Sequence, residues 1–152
     1  MKLEIELVPR TCWFSNVRSC VSKKDWDMLR KKAYVAAGHK CEICGGKGKH
    51  WPVECHEVWE YDDTKKTQTL LRMCALCPGC HEVKHMGLAG IKGRTKQALK
   101  HLAKVNSWKL SQAEDHATKA FATWRNRSTY YWLLDLAYLD GENVKVLDDG
   151  RR

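Results

Sequence analysis

The sequence has 152 residues and a formal net charge of +9, with 43% hydrophobic and 30% charged residues. These proportions are typical of globular proteins and exclude a disordered chain. No apolar stretch approaches the roughly 20 residues that a membrane-spanning helix requires. The first ten residues lack the apolar centre of a signal peptide, so we expect a cytoplasmic protein without membrane contacts. The length fits a single domain over residues 1–152.

A strand and a helix are predicted near the N-terminus. Apolar and charged residues alternate over residues 2–8, which is the pattern of a strand with one buried face, and Pro9 ends this strand. Ser22 is a suitable N-cap for a helix whose first turn carries two aspartates. Gly38 ends that helix.

Two strands and a helix are predicted in the centre of the chain. Residues 53–59 and 69–76 both have the composition of strands. Pro78 lies where the first turn of a helix tolerates proline, so a helix over residues 78–86 follows the second strand. Gly87 then ends this helix.

The C-terminal third adds two helices and a short strand. Helices are predicted over residues 92–105 and, from a capping box at Ser111, over residues 111–127. A turn at residues 140–141 precedes a short strand over residues 143–147. The predicted fold class is therefore α+β, with a central strand–strand–helix unit flanked by helices and a small terminal β-sheet.

The eight cysteines of a chain expected to be intracellular favour metal binding over disulfides. Zinc takes four ligands in a tetrahedron and thiolates suit it. Two Cys-x-x-Cys pairs therefore predict one structural Zn²⁺, bound by Cys41, Cys44, Cys77 and Cys80. His39 and His50 are near enough in sequence to replace a thiol and rank below all four. The remaining cysteines are expected to be buried as small apolar side chains.

Two further motifs surround these cysteines. The segment Val53-Glu-Cys-His56-Glu57-Val58 lies on the first central strand, and Leu76-Cys77-Pro-Gly-Cys80-His81-x-x-x-His85 opens the helix. Together with Cys41-x-x-Cys44 they resemble the zinc-bearing HNH (ββα-metal) endonucleases over residues 38–87. The resemblance implies an HNH core over residues 38–90 and an extension of helices and strands over residues 91–152. It also implies one catalytic divalent cation, such as Mg²⁺, Mn²⁺ or Ni²⁺.

The resemblance further implies roles for individual residues. His56 matches the residue of the catalytic pair that holds the cation, and Glu57 matches the one that activates water as the base. His81 matches the helix ligand, and His85, one turn later on the same face, is expected to bind the cation or the scissile phosphate. An alignment shifted by one residue makes His56 the base and places Cys55 at the ligand position. Because cysteine is a poor ligand for magnesium, the first alignment is preferred.

One position departs from the family pattern. The asparagine that usually orients the loop and the base is replaced by Arg72, which cannot copy it but can contact phosphate. The expected activity is that of a metal-dependent DNA endonuclease or nickase, which hydrolyses phosphodiester bonds. The alternative is a catalytically degenerate HNH scaffold, a zinc-stabilised module that binds DNA or protein, including one that inhibits a DNA-acting machine. Small independent HNH proteins are common in phages and mobile elements.

Positive charge is concentrated in one segment, because residues 83–113 contain no Asp or Glu. Such a run predicts a surface that holds DNA phosphates without reading sequence. We expect this surface to include Arg72, Lys84, Lys92, Arg94, Lys96, Lys100 and Lys104. Trp51 and Trp59, close to the catalytic segment, are the two candidates for stacking on bases.

Overall fold

The computed structural model describes residues 3–147. An antiparallel pair of strands and the helix that follows it lie at the centre, with helices on both sides. In chain order the described elements are a 3₁₀ helix (Arg10–Cys12), α1 (Val17–Cys20), α2 (Lys23–Ala36), β1 (Glu54–Asp62), β2 (Thr67–Leu76), α3 (Pro78–Lys84), α4 (Met86–Ile91), α5 (Thr95–Asn106), α6 (Leu110–Arg127), β3 (Leu133–Asp135) and a second 3₁₀ helix (Ala137–Gly141). The protein is therefore α+β, as predicted. Among these helices, none is long and apolar enough to cross a membrane.

β1 and β2 form a hairpin whose pairing runs from Glu54–Leu76 at the open end to Asp62–Thr67 at the turn. The Asp62 carboxylate closes the turn by accepting hydrogen bonds from the amides two and three residues later. β3 pairs in parallel with the start of β2, which gives a sheet with the strand order β1–β2–β3. The helix α3 follows β2 after a single residue, so its first turn lies beside the open end of the hairpin.

Apolar side chains bury both faces of this hairpin. On one face, Leu76 belongs to a first core that includes Leu3 of the N-terminal segment and Leu102 of α5, all three fully buried. On the other face, Met73 belongs to a second core that includes Leu29 of α2. The hairpin is thus the middle layer between two groups of helices, and each strand presents alternate residues to the two cores.

The N-terminal segment is not the predicted strand. Among the described residues of this segment, Leu3 and Ile5 are buried as the alternation requires, but their backbone groups are bound by side chains. Asn106 accepts from the Leu3 amide (2.9 Å) and donates to its carbonyl (2.8 Å), and His116 Nε2 accepts from the Ile5 amide (3.0 Å). Because α5 and α6 supply these partners, the segment packs on helices instead of joining a sheet.

The predicted helices are present, with shifted ends. Ser22 caps α2 by accepting a hydrogen bond from the Asp25 amide at 3.1 Å. α6 begins before Ser111, because Gln112 Oε1 accepts from the Lys109 amide at 2.8 Å. The helix that starts at Pro78 ends at Lys84 and a second helix follows at once, so Gly87 lies inside α4 instead of ending α3.

The strand predicted over residues 143–147 does not form. This segment is irregular and is held by a hydrogen bond from the Leu147 amide to the Cys20 carbonyl (2.7 Å). Within residues 3–147 there is accordingly no small terminal sheet. The third strand comes from Leu133–Asp135 and extends the central hairpin instead.

Glu57 links β1 to the N-terminus of α1. Its carboxylate accepts hydrogen bonds from the amides of Val17 (3.1 Å) and Arg18 (3.4 Å). Burial raises the pKa of Glu57 to about 7, although these hydrogen bonds oppose the shift. The folded protein therefore retains the Glu57 proton at pH values where the unfolded chain has released it.

Replacing Glu57 by Gln should remove a pH-dependent loss of stability. The stability that the neutral acid contributes is lost as the pH rises from the ordinary glutamate pKa of 4.5 to about 7. The unfolding free energy of Glu57→Gln minus that of the wild type should therefore rise across this window, by less than about 1.4 kcal/mol per pH unit.

Denaturant unfolding at closely spaced pH values measures this difference. The subtraction removes the titration of histidines and cysteines, which the two proteins share. If this difference stays constant from about pH 4 to about pH 8, Glu57 does not retain its proton on folding and the assignment is wrong.

Candidate metal centres

Four cysteine thiols converge between α2 and α3. Cys41 and Cys44 lie in the turn that follows α2, and Cys77 and Cys80 lie at the start of α3; their sulfur atoms are all within 4.8 Å of one another. The Cys44 and Cys77 sulfurs are 3.6 Å apart. Four sulfurs at about 2.3 Å from one zinc ion lie ~3.8 Å apart in a tetrahedron. The cluster can therefore hold a structural metal ion such as zinc.

The backbone around the first cysteine pair is fixed by short hydrogen bonds. The Cys41 amide donates to the Gly46 carbonyl and the Gly45 amide donates to the Cys41 carbonyl, both at 2.9 Å. Gly45 has φ 74°, which favours glycine. Glu42 then ties this turn to β2, because its carboxylate accepts from the Ala75 amide at 2.7 Å. The thiols of the first pair are thus held against the strand that leads to the second pair.

The electrostatics of the four thiols favour a bound cation. A hydrogen bond from the Cys80 thiol lowers the pKa of Cys41, and the same contact raises the pKa of Cys80. Burial raises the pKa of Cys77. One thiolate therefore makes further ionisation of its neighbours unfavourable, and a dication removes this cost by compensating their charge.

A histidine outside the motifs also contacts this cluster. His101 of α5 has its Nε2 atom 3.2 Å from the Cys80 sulfur. Its ring lies over Gly79, where an added Cβ would be only 2.9 Å from the ring. The two histidines considered as substitute ligands lie elsewhere: His39 is exposed at the end of α2 and His50 is exposed beside Trp51.

A second cluster consists of His56 on β1, His81 on α3 and His85 directly after α3, with one ligand atom from each within 4.8 Å of the others. The ring centroids of His81 and His85 are 4.7 Å apart, and each is 5.4 Å from that of His56. His56 is only 5% exposed. The structure thus brings together the three histidines that the motifs predict.

Hydrogen bonds determine which nitrogen of His81 carries its proton. Nδ1 of His81 lies 2.9 Å from the Glu54 carboxylate, which can only accept, so Nδ1 is the donor and Nε2 is the nitrogen that faces His85. The Nε2 atoms of His81 and His85 are 3.1 Å apart. Two nitrogens about 2.1 Å from one metal ion lie roughly this far apart. The spacing of the two nitrogens therefore fits a cation bound by both.

The same argument applies to His56. Its Nε2 lies 3.1 Å from one oxygen of Glu6, whose other oxygen accepts from Lys84 Nζ at 2.5 Å. Burial alone would raise the pKa of Glu6, but the hydrogen bonds from His56 and Lys84 lower it. Glu6 is thus an ionised acceptor, and His56 carries its proton on Nε2 and leaves Nδ1 unprotonated.

Two of the imidazoles, those of His56 and His85, are held in the neutral form that metal binding requires. Burial lowers the pKa of His85 to about 3, with a further contribution from the charges of His81 and His56. Burial also lowers the pKa of His56, against the opposing effect of Glu6. At neutral pH these two residues therefore each offer an unprotonated nitrogen atom instead of an imidazolium cation.

Glu57 and Cys55 are not part of this cluster. Successive residues of a strand face opposite sides, so both lie on the face of β1 away from His56. Cys55 packs in the second core, where burial raises its thiol pKa to about 12, and Glu57 contacts α1. This corrects the assignment of Glu57 as the base and removes Cys55 as a ligand.

Arg72 also lies apart from the histidines. Its guanidinium donates to the Glu42 carboxylate at 3.0 Å, beside the cysteine cluster, while its side chain remains about half exposed. Arg72 therefore braces the turn that carries the first cysteine pair. Nothing in its contacts reproduces an orienting role toward the histidines.

The basic segment divides into buried and exposed residues. Lys84, expected to bind phosphate, is only 6% exposed and is paired with Glu6, which corrects that expectation. Arg94 is paired with Glu82 at 2.6 Å. The side chains that remain exposed, with no ion pair among the described residues, are Lys92, Lys96, Lys100, Lys104 and Lys109. Three of these follow one another at four-residue spacing on α5.

Three residues of these centres were missed in the sequence. Glu54 could have been found, because it lies two residues before His56 on a strand and therefore on the same face. Glu6 and His101 carry no signal, since each reaches its partner only through the packing of a distant segment on α3. The N-terminal segment thus belongs to the histidine centre.

No protein-family model, curated protein or solved structure was found to match this chain. The resemblance to HNH endonucleases accordingly rests on the motif residues alone. The function is argued below from the geometry of the two centres.

Replacing Cys77 by Ser should remove the structural metal. The wild type is expected to contain one zinc ion per chain, and Cys77→Ser should lose it together with several kcal/mol of stability, because metal binding is coupled to folding. Elemental analysis and denaturant unfolding measure both quantities. Cys74→Ser is the matched control, since Cys74 is a buried thiol outside the cluster and its loss should leave the zinc content unchanged. Full zinc content in Cys77→Ser would refute the assignment.

Proposed function

We propose that the protein is a metal-dependent DNA endonuclease or nickase, with the histidine cluster as its catalytic site and a zinc ion at the cysteines as structural support. The observation that carries the proposal is the convergence of His56, His81 and His85 within 4.8 Å. Two of these imidazoles are backed by carboxylates, an arrangement common around catalytic metal ions. They are also the histidines on which the motif resemblance depends.

In this proposal His81 and His85 hold the cation through their Nε2 atoms. When bound, the cation supplies positive charge to the scissile phosphate and the leaving oxygen. His56 accepts the proton of the attacking water on Nδ1, while Glu6 holds its Nε2 proton and fixes the ring. The water oxygen then bonds to phosphorus as the bond to the leaving oxygen breaks. A set of imidazole donors favours Mn²⁺ or Ni²⁺ over Mg²⁺.

A second candidate function is a degenerate scaffold that binds DNA or protein without cleaving. The observation that favours it is the ion pair between Arg72 and Glu42, which occupies the residue at the usual asparagine position. A protein of this type retains the cysteine centre and the basic surface, and it differs only in lacking turnover. The cleavage experiment below separates the two functions.

DNA cleavage should require the histidine cluster. With Mn²⁺, Ni²⁺ or Mg²⁺ we expect nicking of supercoiled plasmid that EDTA abolishes. His81→Ala and His56→Ala should each reduce the rate by at least about 100-fold, because one removes a cation ligand and the other the base. Glu6→Gln should lose about 10- to 100-fold, since it weakens the hold on His56.

His39→Asn is the control, because His39 is exposed and outside both clusters. Calorimetric metal titration distinguishes the role of His56: His56→Ala should still bind one cation at His81 and His85 if His56 is the base, and should lose that cation if it is a ligand. Wild-type protein that binds DNA but leaves plasmid intact with every metal would favour the degenerate scaffold.

The exposed lysines of α5 provide a surface for DNA. Lys96, Lys100 and Lys104 recur every four residues and so lie along one side of the helix, and all three are exposed. α5 packs on the first core, the same side of the hairpin as the histidines. A lysine row on this side can neutralise successive phosphates of a bound strand.

Removing this row should weaken the salt dependence of DNA binding. The slope of log K against log salt concentration is about −0.9 for each phosphate neutralised, so replacing all three lysines by Ala should reduce it by up to about 2.7. The matched control replaces three exposed lysines of α2, Lys23, Lys24 and Lys31, which changes the net charge equally on the opposite side of the hairpin. Equal effects of the two triple variants would contradict a localised DNA surface.

A further inference from the structure

One exposed aromatic side chain is connected to the histidine cluster through hydrogen bonds to a shared carboxylate. Trp51 lies in the loop of residues 45–52, which joins the cysteine turn to β1 and which we call the knuckle loop. Its side chain is 54% exposed. Large aromatic side chains usually bury most of their surface, so an exposed indole beside a candidate catalytic site points to a ligand.

A single carboxylate holds both Trp51 and His81. The indole Nε1 donates to Glu54 Oε1 at 3.1 Å, and Glu54 Oε2 accepts from His81 Nδ1 at 2.9 Å. The indole is therefore oriented by the same group that orients a candidate cation ligand. About half of its side chain is exposed to solvent.

The backbone of the knuckle loop is held firmly against α3. An added Cβ at Gly48 would lie 2.1 Å from the Trp51 carbonyl oxygen and 2.7 Å from Pro78, so only glycine fits this position. The Gly48 amide also donates to the Pro52 carbonyl at 2.9 Å. Trp51 is thus presented by a preformed loop, which reduces the entropy lost when a ligand binds.

The charge of the knuckle loop fits a nucleic acid. Residues 45–52 contain no Asp or Glu, and Lys47, Lys49 and His50 are exposed. The His50 ring lies 6.3 Å from the indole of Trp51. Cations that hold phosphates around an aromatic face that accepts a base are the combination that binds single-stranded nucleic acids.

We propose that Trp51 stacks on an unpaired base next to the scissile phosphate, so that the preferred substrate is single-stranded or has an unpaired nucleotide at the cut. The proposal rests on the proposed nuclease function and adds the substrate class. Bases inside a duplex present only their edges, so an indole can stack fully only on a base that has left the helix. Lys47 and Lys49 hold the flanking phosphates.

The test compares binding of zinc-loaded protein, in EDTA-free buffer without a catalytic cation, to three labelled oligonucleotides: a single strand, a perfect duplex, and a duplex with one unpaired base. Trp51→Ala should weaken binding to the first and third by roughly 5- to 100-fold, and to the perfect duplex far less. Trp51→Phe should retain most of the affinity, because phenylalanine keeps a stacking face. Trp13→Ala is the matched control, since Trp13 is 58% exposed, and it should bind like the wild type.

A stacked base gives a direct spectroscopic signal. The wild type should quench the fluorescence of 2-aminopurine placed at the unpaired position. Trp51→Phe should quench it less strongly, and Trp51→Ala should not quench it. If Phe and Ala weaken binding equally, the effect comes from the lost hydrogen bond to Glu54 and the stacking proposal is overturned. Equal loss on all three oligonucleotides, or no loss on any, also overturns it.

Failure of this proposal is distinct from failure of the nuclease. Plasmid cleavage that depends on His81, combined with unchanged binding by Trp51→Ala, would refute stacking and leave the nuclease standing. Base-dependent quenching without cleavage by any metal would support stacking and refute the nuclease. If the knuckle loop binds a protein partner instead, binding should show no selectivity for unpaired bases. That result would refute the proposal.

Discussion

Side-chain alternation along β1 determines which functional groups can meet in this molecule. Both faces of the hairpin pack against a core, so successive residues in the first half of β1 point alternately toward one core or the other. Glu54 and His56 face α3, where they meet His81 and His85. Cys55 and Glu57 face α1 and α2 instead. Cys55 packs in the second core, and Glu57 accepts hydrogen bonds from the α1 amides. A shift of one residue in this strand would exchange the two sets and dismantle the histidine cluster.

The N-terminal segment is bound to the histidine site by an ion pair between the buried Lys84 and Glu6, whose side chain is 32% exposed. Lys84 and Glu6 face each other across the first core, and His56 shares the Glu6 carboxylate. Removing Glu6 would leave the buried Lys84 ammonium without its partner, which is destabilising. The site therefore extends beyond the segment of the chain that carries the motifs. Asn106 and His116 secure this extension by binding the segment's backbone.

The two centres share α3 and are coupled through it. The start of the helix carries Cys77 and Cys80, and the next residue is His81. A metal bound by the thiols would therefore also fix the position of His81. Glu54 links His81 to Trp51 through hydrogen bonds, and the knuckle loop packs against Pro78 of the same helical turn. A few residues at one end of α3 therefore position the candidate structural-metal site, the candidate catalytic residues and the candidate substrate contact.

Sequence alone determined the elements and the local motifs, because periodicity, caps and Cys-x-x-Cys spacing act over a few residues. It predicted the hairpin, α2, α3, α5 and α6, both cysteine pairs and the three histidines. Tertiary structure decided everything that depends on which face a residue presents and what lies opposite. The strand-like pattern of residues 3–8 packs on helices because Asn106 and His116 take its backbone bonds. Glu57 faces away from the histidines, Glu6 contacts His56 instead, and Lys84 is buried. These outcomes arise from contacts between segments that are distant in sequence.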